Sequence, residues 1–133
     1  MNFRCDLAYF EAKEYAEEGD VERLVETDQL LKFKGRDELL SKFYESKVDF
    51  LPTFKYDKKS NVYDTSKKMR TPSYTDRILA RFNSGDGTMK GADGQRNGNG
   101  MRVLYYGRRE STFSDHRPVL CLYKFAVRKV NRE

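Results

Sequence analysis

Apolar positions in the first third of the chain recur at intervals of three and four residues, and in the remainder they do not. Leu7, Phe10, Tyr15 and Ala16 mark one stripe, with Asp6 placed to cap the helix that carries it and Gly19 placed to end it. Val21, Leu24, Val25 and Leu31 continue at helical spacing through Asp28, and Leu39, Leu40 and Phe43 mark a sparser third segment. The simplest destination for these stripes is the core. From Val48 onward the residues are aromatic, β-branched and punctuated by proline, the pattern of short strands and loops. The strand predictions are Ile78 to Phe82, Arg102 to Tyr106 and Val119 to Val127.

Between the first two of those strands, residues 83–100 hold Gly85, Gly87, Gly91, Gly94, Gly98 and Gly100 among polar residues. A phosphate-cradling loop would end in Gly-Lys-Ser/Thr and lead into a helix. This stretch does neither, so it reads as a flexible surface connection. No repeat or linker divides the 133 residues, which suit one domain. Helices followed by strands place the chain in the α/β class. Three or four strands under one helical layer would leave a sheet face or edge uncovered unless another segment supplied the missing layer.

Composition narrows this picture only modestly. A hydrophobic share of 38% with 14% aromatic residues argues for a folded chain, while 35% charged residues make the core thin. The net charge of +5 favours anionic partners, but its sign does not separate phosphorylated small molecules, lipid head groups and nucleic acid. Cys5 and Cys121 lack the spacing of a disulfide scaffold or a zinc site and read as reduced thiols of a cytoplasmic protein. Acids and a lysine interrupt Met1 to Tyr15 where a secretory signal needs an apolar run, and no segment approaches the ~20 apolar residues of a membrane span. Asn131-Arg132-Glu133 is no lipidation signal, so any lipid would be approached from the aqueous side. Lys124, Arg128, Lys129 and Arg132 read as a solvated strand end rather than a lipid contact.

The chemistry concentrates around one histidine. His116, the sole histidine, stands in Phe113-Ser114-Asp115-His116-Arg117-Pro118-Val119, at a loop leading into a strand, where its ring can face a cleft. Alone, it reads first as a surface histidine hydrogen-bonded to Asp115. Asp76, at the mouth of another predicted strand, is a carboxylate able to fix the imidazole tautomer, or else to pair with Arg77. Lys67, Lys68 and Arg70 form a basic cluster with two readings, a solvated loop or a phosphate grip. Lys55 adds a further cation, restrained by Pro52.

Taken together, the segments carry a resemblance. Phe50-Leu51-Pro52-Thr53-Phe54-Lys55-Tyr56, then Arg70-Thr71-Pro72-Ser73-Tyr74-Thr75-Asp76-Arg77-Ile78-Leu79, then Ser114-Asp115-His116-Arg117-Pro118-Val119, follow an ordered set of signature blocks. Those blocks are Phe-x-Pro-Thr-Tyr-Lys-Tyr, Arg-x-Pro-Ala/Ser-Trp-Cys/Thr-Asp-Arg-Ile-Leu and Ser-Asp-His-Arg-Pro-Val. The chain thus resembles the inositol polyphosphate 5-phosphatase family of the endonuclease/exonuclease/phosphatase superfamily. Asn2-Phe3-Arg4 is similar to the end of that family's Gly-Asp-Leu-Asn-Tyr-Arg block, and Asp28-Gln29-Leu30 recurs in its helical region. The likeness spans nearly everything outside the glycine-rich stretch.

The resemblance implies a four-layer α/β sandwich of deoxyribonuclease I type, with N-terminal helices followed by strands. Residues 1–133 would be the C-terminal portion of its catalytic domain, with a flexible insertion at 83–100. It implies a magnesium-dependent phosphatase that removes the 5-phosphate from phosphoinositides such as phosphatidylinositol 4,5-bisphosphate, or from soluble inositol phosphates, by attack of water. In that scheme His116 neutralises a scissile-phosphate oxygen, Asp76 orients His116, Asn2 donates to the phosphate, and Asp115 lies close to the metal without binding it directly. Lys55, Lys68 and Arg70 grip a neighbouring 4-phosphate, and Arg77, in the same substrate-binding set, braces the loop. Phe54 replaces the family's usual Tyr and loses a hydroxyl donor, which weakens the implied preference for a 4-phosphate, and Tyr74 replaces the usual Trp. The family's metal-binding Glu and water-activating Asp would stand upstream of Asn2. Two readings follow: the C-terminal part of an enzyme domain, at work in the cytoplasm or at the cytosolic face of membranes, or a non-catalytic chain that holds anionic head groups. Nucleic acid is not an expected partner.

Overall fold

The computed structural model describes residues 3–81 and 102–125. Helix α1 spans Tyr9–Glu18 and stops where Gly19 adopts a left-handed φ of 76°, its amide reaching the Ala16 carbonyl. Its N-cap is Ala8, without a side-chain cap. Asp6, expected to cap it, instead accepts from Gln29 Nε2 at 2.7 Å and Lys32 Nζ at 2.8 Å, which ties the chain start to a later helix. The expected stripe shifts too. Ala12 and Ala16 are the buried residues of α1, while Phe10 is 71% exposed and packs edge-on against Tyr9.

The periodicity read through Asp28 is two helices rather than one. Helix α2, Val21–Glu26, is capped by Asp20, and α3, Gln29–Lys34, is capped by Asp28, whose carboxylate takes the Leu31 amide at 3.0 Å. The segment of Leu39, Leu40 and Phe43 is a single 3₁₀ turn, Leu40–Lys42, with no buried residue.

Strands β1 (Arg102–Arg108) and β2 (Val119–Lys124) pair antiparallel, with Arg108 opposite Val119 and a register shift between Val103 and Tyr105. The expected strand from Ile78 does not form in the described residues. Ala80 makes an isolated bridge to Tyr44, and the Ile78 amide is taken by the Tyr106 hydroxyl at 3.3 Å, so no ladder propagates. Asn2, Phe82, residues 83–100, Val127, Arg128, Lys129 and Arg132 lie outside the described residues.

The core joins Ala12, Ala16 and Leu24 of the helices to Val48, Phe50, Tyr74 and Tyr106, with Phe50 edge-on to Tyr74 and to Tyr106. The hairpin turns Val103, Tyr106, Val119 and Cys121 toward this core. Leu104, Leu120 and Leu122 are 50%, 41% and 57% exposed, so the described residues leave its other side uncovered. Both cysteines are free: Cys5 is buried 2.9 Å from Thr27 Oγ1, where burial pushes its thiol up, and Cys121 is half-buried.

Candidate active site

Backbone bonds stitch the three motif segments together. Phe54 and Ser73 exchange both of theirs, at 3.1 and 2.6 Å, fixing the first segment to the second. Arg117 N donates to Thr53 O at 2.8 Å and Tyr56 N to Asp115 O at 2.9 Å, fixing the third to the first. Arg117 is fully buried, its guanidinium 3.7 Å from the centre of the Tyr56 ring, with Nη2 donating to Ser60 O and to Asn61 Oδ1. The loop carrying His116 is therefore anchored one residue away from the imidazole.

His116 Nδ1 and Asp76 Oδ2 are 2.8 Å apart. The same carboxylate oxygen accepts from Thr53 Oγ1 at 2.7 Å and Thr75 Oγ1 at 3.0 Å, so both rotation and position of Asp76 are fixed. With Nδ1 held by the carboxylate, Nε2 is left without a bonded partner among the described residues. The imidazole also leans on Phe54, ring centres 4.7 Å apart, and the Arg4 guanidinium lies 4.9 Å from the Phe54 ring centre. The Phe54-Lys55 peptide is cis.

Lys55 reaches the buried Asp64 at 3.6 Å. Asp64 organises the basic loop: its two oxygens accept from the Ser66 amide at 3.0 Å and the Arg70 amide at 2.9 Å. Burial pushes its carboxyl up, but the bonds from Ser66 and Arg70, with the Lys55 ammonium, outweigh that and hold it down at about 2. Lys68 and Arg70 project from this loop, exposed, and neither side chain has an ion-pair partner among the described residues. Asp115 is half-buried and takes the Ser114 hydroxyl at 3.3 Å, while Asn2 lies outside the described residues.

Arg77 is placed elsewhere, which corrects its inclusion among the substrate-binding cations. Its guanidinium grips Glu45 through Nε at 2.6 Å and Nη2 at 2.8 Å, and Asp28 through Nη1 at 2.6 Å. Burial pulls its pKa down, but Glu45 and Asp28 push it above the ordinary arginine value. Three of its five donors lie on two carboxylates and its side chain is only 6% exposed, so the guanidinium is not presented to a ligand. It braces the loop behind Asp76 instead.

Sequence reasoning missed Thr53, Thr75, Asp64, Glu45 and Arg4. Thr53 and Thr75 lie inside the recognised segments; Thr75 was detectable as a hydroxyl flanking Asp76, whereas Thr53 is 23 residues from that carboxylate. Asp64 and Glu45 carry no local signal, because what marks them is a partner far along the chain. Among the described residues no group of three or more His, Cys, Asp or Glu side chains stands ready to hold a metal ion.

Among solved structures, the inositol polyphosphate 5-phosphatase domain of SpSynaptojanin, in complex with inositol (1,4)-bisphosphate and a calcium ion, superposes with a TM-score of 0.68. It is 30% identical, over 93% of this chain and 33% of its own. A Cimex nitrophorin variant in a ferrous NO complex superposes with a TM-score of 0.75, 28% identical over 95% of this chain and 39% of its own. The fold is of the endonuclease/exonuclease/phosphatase type. Residues 1–122 match Endonuclease/Exonuclease/phosphatase family 2, and the chain belongs to that family. Synaptojanin-2 of Rattus norvegicus is 36% identical over 144 residues, 98% of this chain. Type I inositol polyphosphate 5-phosphatase 5 of Arabidopsis thaliana is 36% identical over 132 residues, 96% of this chain and 22% of its own length. The chain spans about 10% of the length of the curated synaptojanins it matches.

Proposed function

We propose that residues 1–133 form the C-terminal portion of an inositol polyphosphate 5-phosphatase domain, within a four-layer α/β sandwich, and act in hydrolysis of the 5-phosphate of phosphoinositides or soluble inositol phosphates. The observation that carries this reading is the bond between His116 Nδ1 and Asp76, which leaves Nε2 without a partner among the described residues. In the reaction the oxygen of water bonds to phosphorus, the bond from phosphorus to the inositol 5-oxygen breaks, and the products are inorganic phosphate and the free hydroxyl.

Each residue has a task in this reading. His116, as an imidazolium whose Nδ1 proton is held by Asp76, donates from Nε2 to a phosphoryl oxygen as charge gathers there. Thr53 and Thr75 keep Asp76 aimed at the ring. Asn2 would be a second donor to the phosphate, and Asp115 would stand near the metal without binding it directly. Lys55, Lys68 and Arg70 meet a neighbouring 4-phosphate, for which three charges that persist at neutral pH are suited. A divalent cation, Mg2+ in this reading, supplies charge neutralisation when bound, with its principal ligand upstream of these residues.

The test is phosphate release from soluble inositol 1,4,5-trisphosphate with magnesium, by this chain and by an upstream-extended polypeptide. Release by the extended form that is lost in its His116→Ala variant supports the reading, and equal release by that variant removes His116 from the chemistry. A second reading, an anion-binding but non-catalytic chain, draws on the exposed Lys68 and Arg70, whose side chains have no ion-pair partner among the described residues. It predicts that the extended form binds inositol (1,4)-bisphosphate and releases no phosphate.

A further inference from the structure

Phe113 is 92% exposed, the most exposed of the large apolar side chains in the described residues. It stands at the tip of the loop that leads into His116, and two contacts hold that tip in place. The Lys59 amide donates to Thr112 O at 2.8 Å, and Tyr56 N donates to Asp115 O at 2.9 Å, so the turn at 57–60 and the loop at 109–113 lie side by side. Lys59 takes a left-handed φ of 59°, which closes that turn.

The surroundings of Phe113 are cationic. Lys58, Lys59 and Arg109 are exposed. Asp57 binds the Thr65 hydroxyl and amide at 2.7 and 3.2 Å, tying the turn to the loop that bears Lys67. The acids of this face each have a bonded partner: Asp57 takes Thr65, Glu110 takes Arg108 at 2.7 and 3.1 Å, and the half-buried Asp115 takes the Ser114 hydroxyl at 3.3 Å. An aromatic side chain held out in water among lysines matches the chemistry of an anionic bilayer, whose head groups attract the lysines and whose acyl boundary accepts the ring.

We infer that the turn at 57–60 and the loop at 109–113 dock on an anionic lipid bilayer, with Phe113 as the apolar anchor and Lys58 and Lys59 as the charge contacts. This rests on the functional reading above and adds the surface by which the site meets its lipid. Phe113 is three residues from His116, so insertion of the ring sets the imidazole near the head groups.

The experiment is co-sedimentation of this chain with phosphatidylcholine vesicles, with and without phosphatidylserine and containing no phosphoinositide. Alongside it, binding of soluble inositol (1,4)-bisphosphate is measured by calorimetry. The expected result is partitioning that depends on phosphatidylserine, falling about tenfold in Phe113→Ala and about fivefold for each of Lys58→Gln and Lys59→Gln, with soluble ligand binding unchanged. Because all three side chains are exposed, circular dichroism should report the same fold. Equal partitioning by Phe113→Ala, or none by the parent chain, overturns the inference. Vesicle binding without binding of the soluble ligand leaves the docking surface standing and counts against the functional reading.

Discussion

Asp76 and Arg77 are adjacent in sequence and belong to two clusters of opposite character. Arg77, Glu45 and Asp28 have side chains only 6%, 3% and 1% exposed, and the arginine spends its donors on both carboxylates. Asp76 and His116 are 37% and 41% exposed, and the imidazole keeps one nitrogen unbonded. Both sets contain a carboxylate and a nitrogen base. Closure makes one of them scaffold, and the remaining valence makes the other a candidate for chemistry.

The contrast is best broken from its closed side. Arg77→Ala leaves two buried acids without a cation and should cost about 3–5 kcal/mol in urea unfolding, whereas replacing Arg77 and Glu45 together by apolar residues should recover part of that loss. His116→Ala should change stability by less than about 1 kcal/mol. In the upstream-extended polypeptide it should slow phosphate release about 10²–10³-fold, chiefly in kcat. Asp76→Asn keeps the shape but offers a weaker acceptor, and an approximately 10–100-fold loss is expected, with KM little changed.

The basic loop gives a pH test. Asp64 is held near 2 against an ordinary value of 3.8, so its contribution is fully present above about 4 and is lost as pH falls through 2. Amide shifts of Ser66 and Arg70, followed by NMR, should stay fixed down to about pH 4 and move below it; a transition centred near 5 would contradict the bonding described. The smallest effect is reserved for Phe54→Tyr. Restoring a hydroxyl beside Lys55 should improve binding of a 4-phosphorylated inositol by about 1 kcal/mol, roughly fivefold in Kd, with no gain for a ligand lacking that phosphate.

How much of this was legible along the chain depended on whether the information was local. Gly19 ended α1 as its conformational freedom allows, and the segments around Thr53, Asp76 and His116 were recognisable as blocks. The break at Asp28 was not, because the apolar spacing runs through it unchanged, and only the side-chain bond to the Leu31 amide reveals a cap. Ile78 looked like the start of a strand on composition, yet a strand needs a neighbour, and the Ile78 amide had already been taken by Tyr106. Asp76 and Arg77 share one motif, but which turns outward is decided by Glu45, an isolated acid more than thirty residues away in sequence, by the Arg77 contacts.

The stack of Arg117 on Tyr56 has a mechanical consequence. Because that guanidinium also clasps Ser60 and Asn61, the tip of the turn and the imidazole are two ends of one stiff lever with its fulcrum at the tyrosine ring. The placement of the imidazole and that of the exposed turn are thereby coupled through a single aromatic face.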